Sequence, residues 1–265
     1  RVYRAARFAA QLGFDVDSKT IEMFTDSSLQ EDMDTLSVER IFVELQKALE
    51  SPHPEKFFQV LKEGTCLPIH FKEVHDLIDV PQPIAHHPEG CAYTHTMQVL
   101  ADMAEQTDKV ERRFTALVHD LGKARTPKEL LPKHHGHEQA GVEPLYELCD
   151  RLRLPTKWRQ AASFGVTNHG RFHRVHEMRE VKIVDMVEGA RRSQLGIEGL
   201  AQLGMADARG RDGLHETHTN YEPFIRWGEL ISTVKGKKEL EGRSAWDDKR
   251  KRQASLIKQD KGAIQ

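Results

Sequence analysis

The sequence predicts an all-α fold. Apolar residues recur at three- and four-residue spacing along most of the chain, and capping residues, prolines and glycines punctuate those stretches; segments alternating with period two are few and short. Residues 1–14, RVYRAARFAAQLGF, read as the interior of an amphipathic helix. Val2, Ala6, Phe8, Ala9 and Leu12 fall on or near one flank, and Gly13 supplies the stop. Since the chain opens on Arg1 with no cap before this helix, it is expected to be a piece of something longer. Asp17 or Ser18 is the expected N-cap for KTIEMF, and Ser37 for VERIFVELQKALES, which ends before Pro52 and Pro54. Pro54, at a first-turn position, opens EKFFQVLKEG, and Gly64 closes it. Three prolines in VPQPIAHHPEGC, residues 80–91, mark the best boundary between a small N-terminal helical unit and the helical body that follows. The expected division is residues 1–81, 82–228 and a basic helical tail over 229–265.

Composition narrows the function classes. At 265 residues, 38% hydrophobic and 30% charged, the chain can bury a sizeable core as one large domain or two modest ones. No apolar run approaches the roughly 18 residues a membrane span needs, and there is no signal-peptide pattern, so the reading is a cytoplasmic protein with no membrane partner. Cys66, Cys91 and Cys149 stand far apart without a CxxC pair; this argues for buried thiols and against a disulfide framework or thiolate cage. A formal charge of −2 offers no general attraction to nucleic acid, yet residues 235–265 hold 10 Lys and Arg against 5 Asp and Glu. Within that tail DDKRKRQ, residues 247–253, is a candidate electrostatic contact for RNA, with a solvated helix face as the plainer reading.

The chemistry concentrates in FTALVHDLGKARTPKELLPKHHGHEQAG, residues 114–141. Phe114, Leu117, Val118 and Leu121 recur at helical spacing, which puts His119 and Asp120 near a buried flank. An imidazole or carboxylate left without a partner there costs several kcal/mol. A divalent cation would satisfy both, and this nitrogen-plus-hard-oxygen pair suits Mn, Fe, Co, Ni, Zn or Mg better than a thiolate-seeking metal. Lys123, four residues after His119, is expected on the same helix face, where it can meet a phosphate oxygen. Further ligand candidates sit on other amphipathic stretches: His95 in CAYTHTMQVLADMA, and Asp207 at the end of GLAQLGMADARGRDG. His137 and His169 fall between them. Among 15 histidines, the loop pairs His86–His87 and His134–His135 are expected outside the ligand set, and His173 and His176 are expected to line the cleft or face water.

The order His95, His119–Asp120, His137, His169, Asp207 resembles the signature of the HD phosphohydrolase superfamily over residues 85–213. RVYRAARFAAQLGF, LSVERIFVELQKAL, FFQVLKEGTCL, HPEGCAYTHTMQVL and ALVHDLGKARTPKELLPKHHGHEQAG together resemble bacterial tRNA nucleotidyltransferases of the CCA-adding kind that carry a C-terminal HD domain. That similarity fades after about Trp227. The resemblance implies that residues 1–81 are the neck and part of a tRNA-holding body, with Arg1 matching the arginine that closes the nucleotide-selecting Glu-Asp-x-x-Arg motif. By their charge Arg4 and Arg7 are candidate contacts to RNA phosphates, with the ordinary charges of an exposed helix as the alternative reading. It implies an HD unit that hydrolyses phosphomonoesters and 2',3'-cyclic nucleotides. The nucleotidyltransferase head and its carboxylates are absent, so the chain by itself is not expected to add CCA.

The residues fit a mechanism in which His95, His119, Asp120 and Asp207 hold one divalent ion, with Mg, Mn, Co or Ni as candidates, while Asp120 and Lys123 carry the catalytic work. His137 and His169 are candidates for a second ion. The rival expectations are a tRNA-binding module with a purely structural HD fold, and a stand-alone hydrolase of small nucleotides. The sequence leaves room for a homo-oligomer.

Overall fold

The protein is described here by a computed structural model over residues 1–211, 221–235 and 242–264. Gly213, part of the basic tail (residues 236–241) and Gln265 lie outside the described residues. The first helix, α1 (Val2–Leu12), ends where Gly13 adopts a left-handed φ of 72° and returns its N–H to Ala9 O, as the sequence anticipates. Its inward face is Val2, Tyr3, Ala6, Ala9 and Ala10. Leu12, expected near that flank, is instead 63% exposed. A stripe centred on residues 2, 6 and 9 leaves position 12 turned toward the rim.

Short helices follow, α2 (Ser18–Phe24) and α3 (Ser27–Asp34), capped by Asp17 and Asp26 side chains. Next come α4 (Val38–Leu49), preceded by Ser37, and α5 (Pro54–Glu63), which opens on Pro54 and closes at Gly64. Both α4 and α5 pack on α1. Two single turns, α6 (Leu67–His70) and α7 (Lys72–His75), lead into the proline-rich segment, where Pro81 and Cys91 form an isolated antiparallel bridge. Among the described residues there is no strand, and no helix is long and apolar enough to cross a membrane.

The body is built on α8 (Ala92–Gln106), α9 (Val110–Val118), α10 (His137–Ala140), α11 (Val142–Arg151), α12 (Thr156–Phe172), α13 (Glu180–Arg192) and α14 (Gly196–Arg209). Then come α15 (Glu222–Ser232) and α16 (Gly242–Ile264), the latter packed on α13. One continuous core runs from Val2 in α1 to Val166 in α12; a second gathers the opposite side of α12 with α13 to α16. Arg113 on α9, only 2% exposed, fastens the body to the N-terminal helices by donating to Leu49 O and Ser51 O, both at 2.8 Å. Those carbonyls would otherwise be orphaned at the end of α4.

Candidate metal centre

Five segments converge on one cleft: α8 brings His95, the turn after α9 brings His119 and Asp120, α10 brings His137, α12 brings His169, and α14 brings Asp207. The helical reading of residues 114–124 needs one correction. α9 stops at Val118, and Leu121–Arg125 form a 3-10 turn. The His119 ring helps to end the helix, because its Nδ1 lies 2.7 Å from Ala116 O, a carbonyl the helix would otherwise use. Lys123 therefore does not share an α-helical face with His119. It reaches the site by the tighter turn, which sets its Nζ 2.6 Å from Asp120 Oδ2 and 2.5 Å from Gln82 Oε1.

Asp120 is the hub. Its Oδ2 stands 3.0 Å from His119 Nε2 and 3.7 Å from His95 Nε2; its Oδ1 stands 3.3 Å from both His137 Nε2 and His169 Nε2. Potential ligand atoms thus fall into two sets sharing this carboxylate, His95–His119–Asp120 and Asp120–His137–His169. Burial would raise its pKa, but His119, Lys123 and their neighbours outweigh that and hold it well below the usual carboxylate range. Burial pushes the His119 imidazole the other way, toward the neutral form that a metal requires. Both His119 Nε2 and Asp120 Oδ1 are buried with no hydrogen-bond partner of acceptable geometry. Orphaned buried polar atoms of complementary donor type are what a divalent ion would satisfy, so the residues fit the implied metal.

Asp207 approaches from the far side. Its Oδ1 lies 3.0 Å from His95 Nε2 and 3.2 Å from Arg211 Nη2, and its Oδ2 lies 2.5 Å from His173 Nε2. Burial would raise its pKa, yet Arg211 and His173 keep it well below the usual value. His95 is fully buried, which alone would lower its pKa; hydrogen bonds with Asp207 and Glu89 instead raise it to about 9. Bound metal would replace that proton.

Several residues of this cleft carry no helical period and were not singled out from the sequence. Glu89, its side chain wholly buried, faces His95 Nδ1 at 3.0 Å and His87 Nδ1 at 2.7 Å. Gln82 holds Lys123, and Arg211 holds Asp207. His87, expected on a loop either solvated or supporting the ligands, packs its ring edge-on against His95 with centroids 4.8 Å apart. His173, expected to line the cleft or face water, bonds Asp207. His134 bridges Thr126 Oγ1 at 2.8 Å and Pro81 O at 2.9 Å, which engages both ring nitrogens, and His135 is exposed. The mouth is lined by Lys123, Lys133, Arg211 and histidines against only Asp120 and Asp207, a composition suited to an anion.

Comparison with known proteins gives this geometry a family. Residues 92–192 match the HD domain. The chain carries an HD domain. Ahead of it, residues 13–78 match a family described as the probable RNA and SrmB-binding site of polymerase A. The chain is also 37% identical over 237 residues to a multifunctional CCA protein of Mannheimia succiniciproducens, covering 85% of this chain and 56% of the relative. It spans little more than half the length of that relative. The resemblance read from the sequence thus rests on both modules, joined in one chain ahead of and within the HD domain.

The N-terminal arginines are placed as follows. Arg7 is engaged by Glu44 at 2.6 Å and lies over the Phe8 ring, 4.3 Å from its centroid. Arg1 and Arg4 border a cleft of about 620 Å³ between α1 and α4, with Arg40, Glu39 and Glu44 opposite. In the tail, Arg250 pairs with Asp185 and Arg252 with Asp248, so half of the KRKR run is spent within the fold.

Proposed function

We propose that the HD domain is a divalent-metal-dependent phosphohydrolase acting on 2',3'-cyclic nucleotides and phosphomonoesters, within a protein of the tRNA nucleotidyltransferase kind that serves tRNA 3'-end CCA addition and repair. The observation that supports it most is Asp120, a buried carboxylate shared by two histidine sets with two neighbouring ligand atoms unsatisfied, opening onto a cationic mouth. His95, His119, Asp120 and Asp207 would hold one ion, and His137 and His169, with Asp120, would hold a second. When bound, a divalent ion supplies Lewis acidity toward the phosphoryl group and acidifies a water. The chain's own residues do the rest. Asp120 orients the ligand set, Lys123 Nζ neutralises charge gathering on the phosphate, and Arg211, anchored on Asp207, faces that charge from the other side. Residues 1–81 would form the tRNA-holding neck and body, with Arg1, Arg4 and Arg7 near the phosphates, residues 82–228 the hydrolase, and 229–265 an ancillary basic tail.

The test compares four variants. His119→Ala and Asp120→Ala should abolish hydrolysis of 2',3'-cyclic AMP with Mg, Mn, Co and Ni and should lower the metal content of the purified protein. Lys123→Ala should keep the metal and lose about 100-fold in kcat. His134→Ala should behave as the parent. Equal metal content in His119→Ala and the parent would reassign the cluster to a structural role.

A further inference from the structure

Beside the catalytic mouth lies a second positively charged hollow, of about 290 Å³, bordered by Arg171, Arg174, Met178, Arg179, Lys182 and Glu177. All three arginines and Lys182 are exposed. Among the described residues none of the three arginines has an ion-pair partner, and Lys182 is only 4.0 Å from Asp185. The nearby acids are occupied elsewhere: Glu180 faces Lys261 at 3.5 Å, and Asp185 is taken by Arg250. Glu177 is the single acid of the rim. Arg171, Arg174 and Arg179 are thus cations unpaired among the described residues and gathered around one small hollow.

The two hollows share a wall. His169, Gly170 and His173 line the mouth of the metal centre, while Arg171 and Arg174 line this one, so residues 169–174 alternate between them. Two residues along a helix rise only about 3 Å. Cationic side chains therefore flank that wall on both sides, Arg171, Arg174, Arg179 and Lys182 on one and Arg211 and Lys123 on the other, with Glu177 on the rim and Glu138 against Gly170 as the acids nearby. We infer that Arg171, Arg174, Arg179 and Lys182 bind the phosphodiester backbone of a single-stranded RNA whose phosphorylated end enters the HD site. This rests on the phosphohydrolase reading and extends it: besides free 2',3'-cyclic nucleotides, the site takes the end of a polynucleotide. Guanidinium groups suit the task because they pair with phosphate through two donors and stack on bases. Met178, half-buried in the lining, offers a base an apolar surface. An isolated phosphate would need only the mouth, and the outer hollow has a use when the ligand is longer than one nucleotide.

The full chain is tested as parent and as Arg171→Ala/Arg174→Ala/Arg179→Ala, whose side chains make no ion pair or hydrogen bond among the described residues. Fluorescence anisotropy with a labelled oligoribonucleotide of about eight nucleotides ending in a 3'-phosphate, in EDTA, reads binding independently of turnover. The triple variant should bind at least about tenfold more weakly, and its log Kd against log salt should be shallower by about 2, three contacts at about 0.7 each. Its hydrolysis of 2',3'-cyclic AMP should match the parent, while kcat/KM for the same oligonucleotide with a cyclic phosphate end falls about tenfold. Unchanged affinity and slope would overturn the assignment. So would competition by polyglutamate as effective as that by RNA, which would make the hollow a site for acidic protein. A parent that hydrolyses neither substrate would sink the phosphohydrolase reading, and the anisotropy arm would still decide the RNA track.

Discussion

Glu89 shows how much of the site depends on residues that stand behind the ligand candidates. Its carboxylate is wholly buried, a costly arrangement unless paired, and its two imidazole neighbours, His87 and His95, bring its pKa to about 2 against the opposing pull of burial. By accepting from His95 Nδ1, jointly with Gly210 O at 3.0 Å, it leaves His95 Nε2 as the nitrogen turned to the cleft. Glu89→Gln should therefore weaken divalent-ion affinity by about tenfold, at the low end for such partners because Gly210 O remains. Titration calorimetry with Mn should show the weakening with the fold intact by circular dichroism; unchanged affinity would leave Glu89 a packing residue only. The ligand candidates themselves were legible in the sequence because a histidine or aspartate on an apolar stripe is anomalous. Glu89, Gln82 and Arg211 were not, since an acid, an amide or an arginine in a polar connection violates no pattern and acquires meaning only from what lies across the cleft.

At the level of elements, cap and proline signals located α1, α2, α4 and α5 through Gly13, Asp17, Ser37, Pro54 and Gly64, although Ser37 holds the N-cap position without a side-chain capping hydrogen bond. The turn after α9 could not be read in the same way. Its apolar spacing continues through Leu121, and the helix stops where the His119 ring takes Ala116 O and α10 packs against the turn. Gly122 sits against α10 so closely that a Cβ there would fall 1.9 Å from His137 O and 2.5 Å from Gly141 N. This backbone approach holds His137 at Asp120, with Gly136 at φ 79° turning the chain into α10. Gly122→Ala must push α10 outward, and the obstructing atoms are backbone, which cannot rotate aside. The expected result is a destabilisation of about 1–3 kcal/mol with loss of the Asp120–His137–His169 set, while His95, His119 and Asp120 keep theirs. Metal stoichiometry measured on Gly122→Ala against the parent tests this. A parent that binds two ions and a variant that binds one is the expected pair, and two ions in both would show that α10 can shift without losing its ligand.

Across the whole molecule, the ligand residues come from α8, the turn after α9, α10, α12 and α14, separated by up to 112 residues in the case of His95 and Asp207. The periodic signal that defines each helix says nothing about which helices meet. Hence the all-α class was readable from periodicity and the joining of His95, His119, Asp120 and Asp207 from the family resemblance, whereas the way five segments enclose one cleft came with the fold. The same convergence has an energetic consequence. α12 lies between the two hydrophobic cores, contributing Ala162 and Val166 to one and Ala161 and Phe172 to the other, and it also carries His169. A bound ion would tie both cores together at that point, and binding to the folded chain alone must raise its stability. At a free metal concentration of about 100 Kd the gain is about 2.7 kcal/mol. For a domain of this size each kcal/mol moves the midpoint by roughly 2–4 °C, so Mn or Co should raise the Tm of the EDTA-treated protein by roughly 5–10 °C. Two variants separate this linkage from nonspecific ion effects. His119→Ala should lose most of the shift, because the ligand is gone while the helices remain; His134→Ala, bonded to Thr126 and Pro81, should retain it. Differential scanning calorimetry of the three proteins with and without metal measures all of it, and a shift of equal size in His119→Ala would mean that the ion acts somewhere other than this centre.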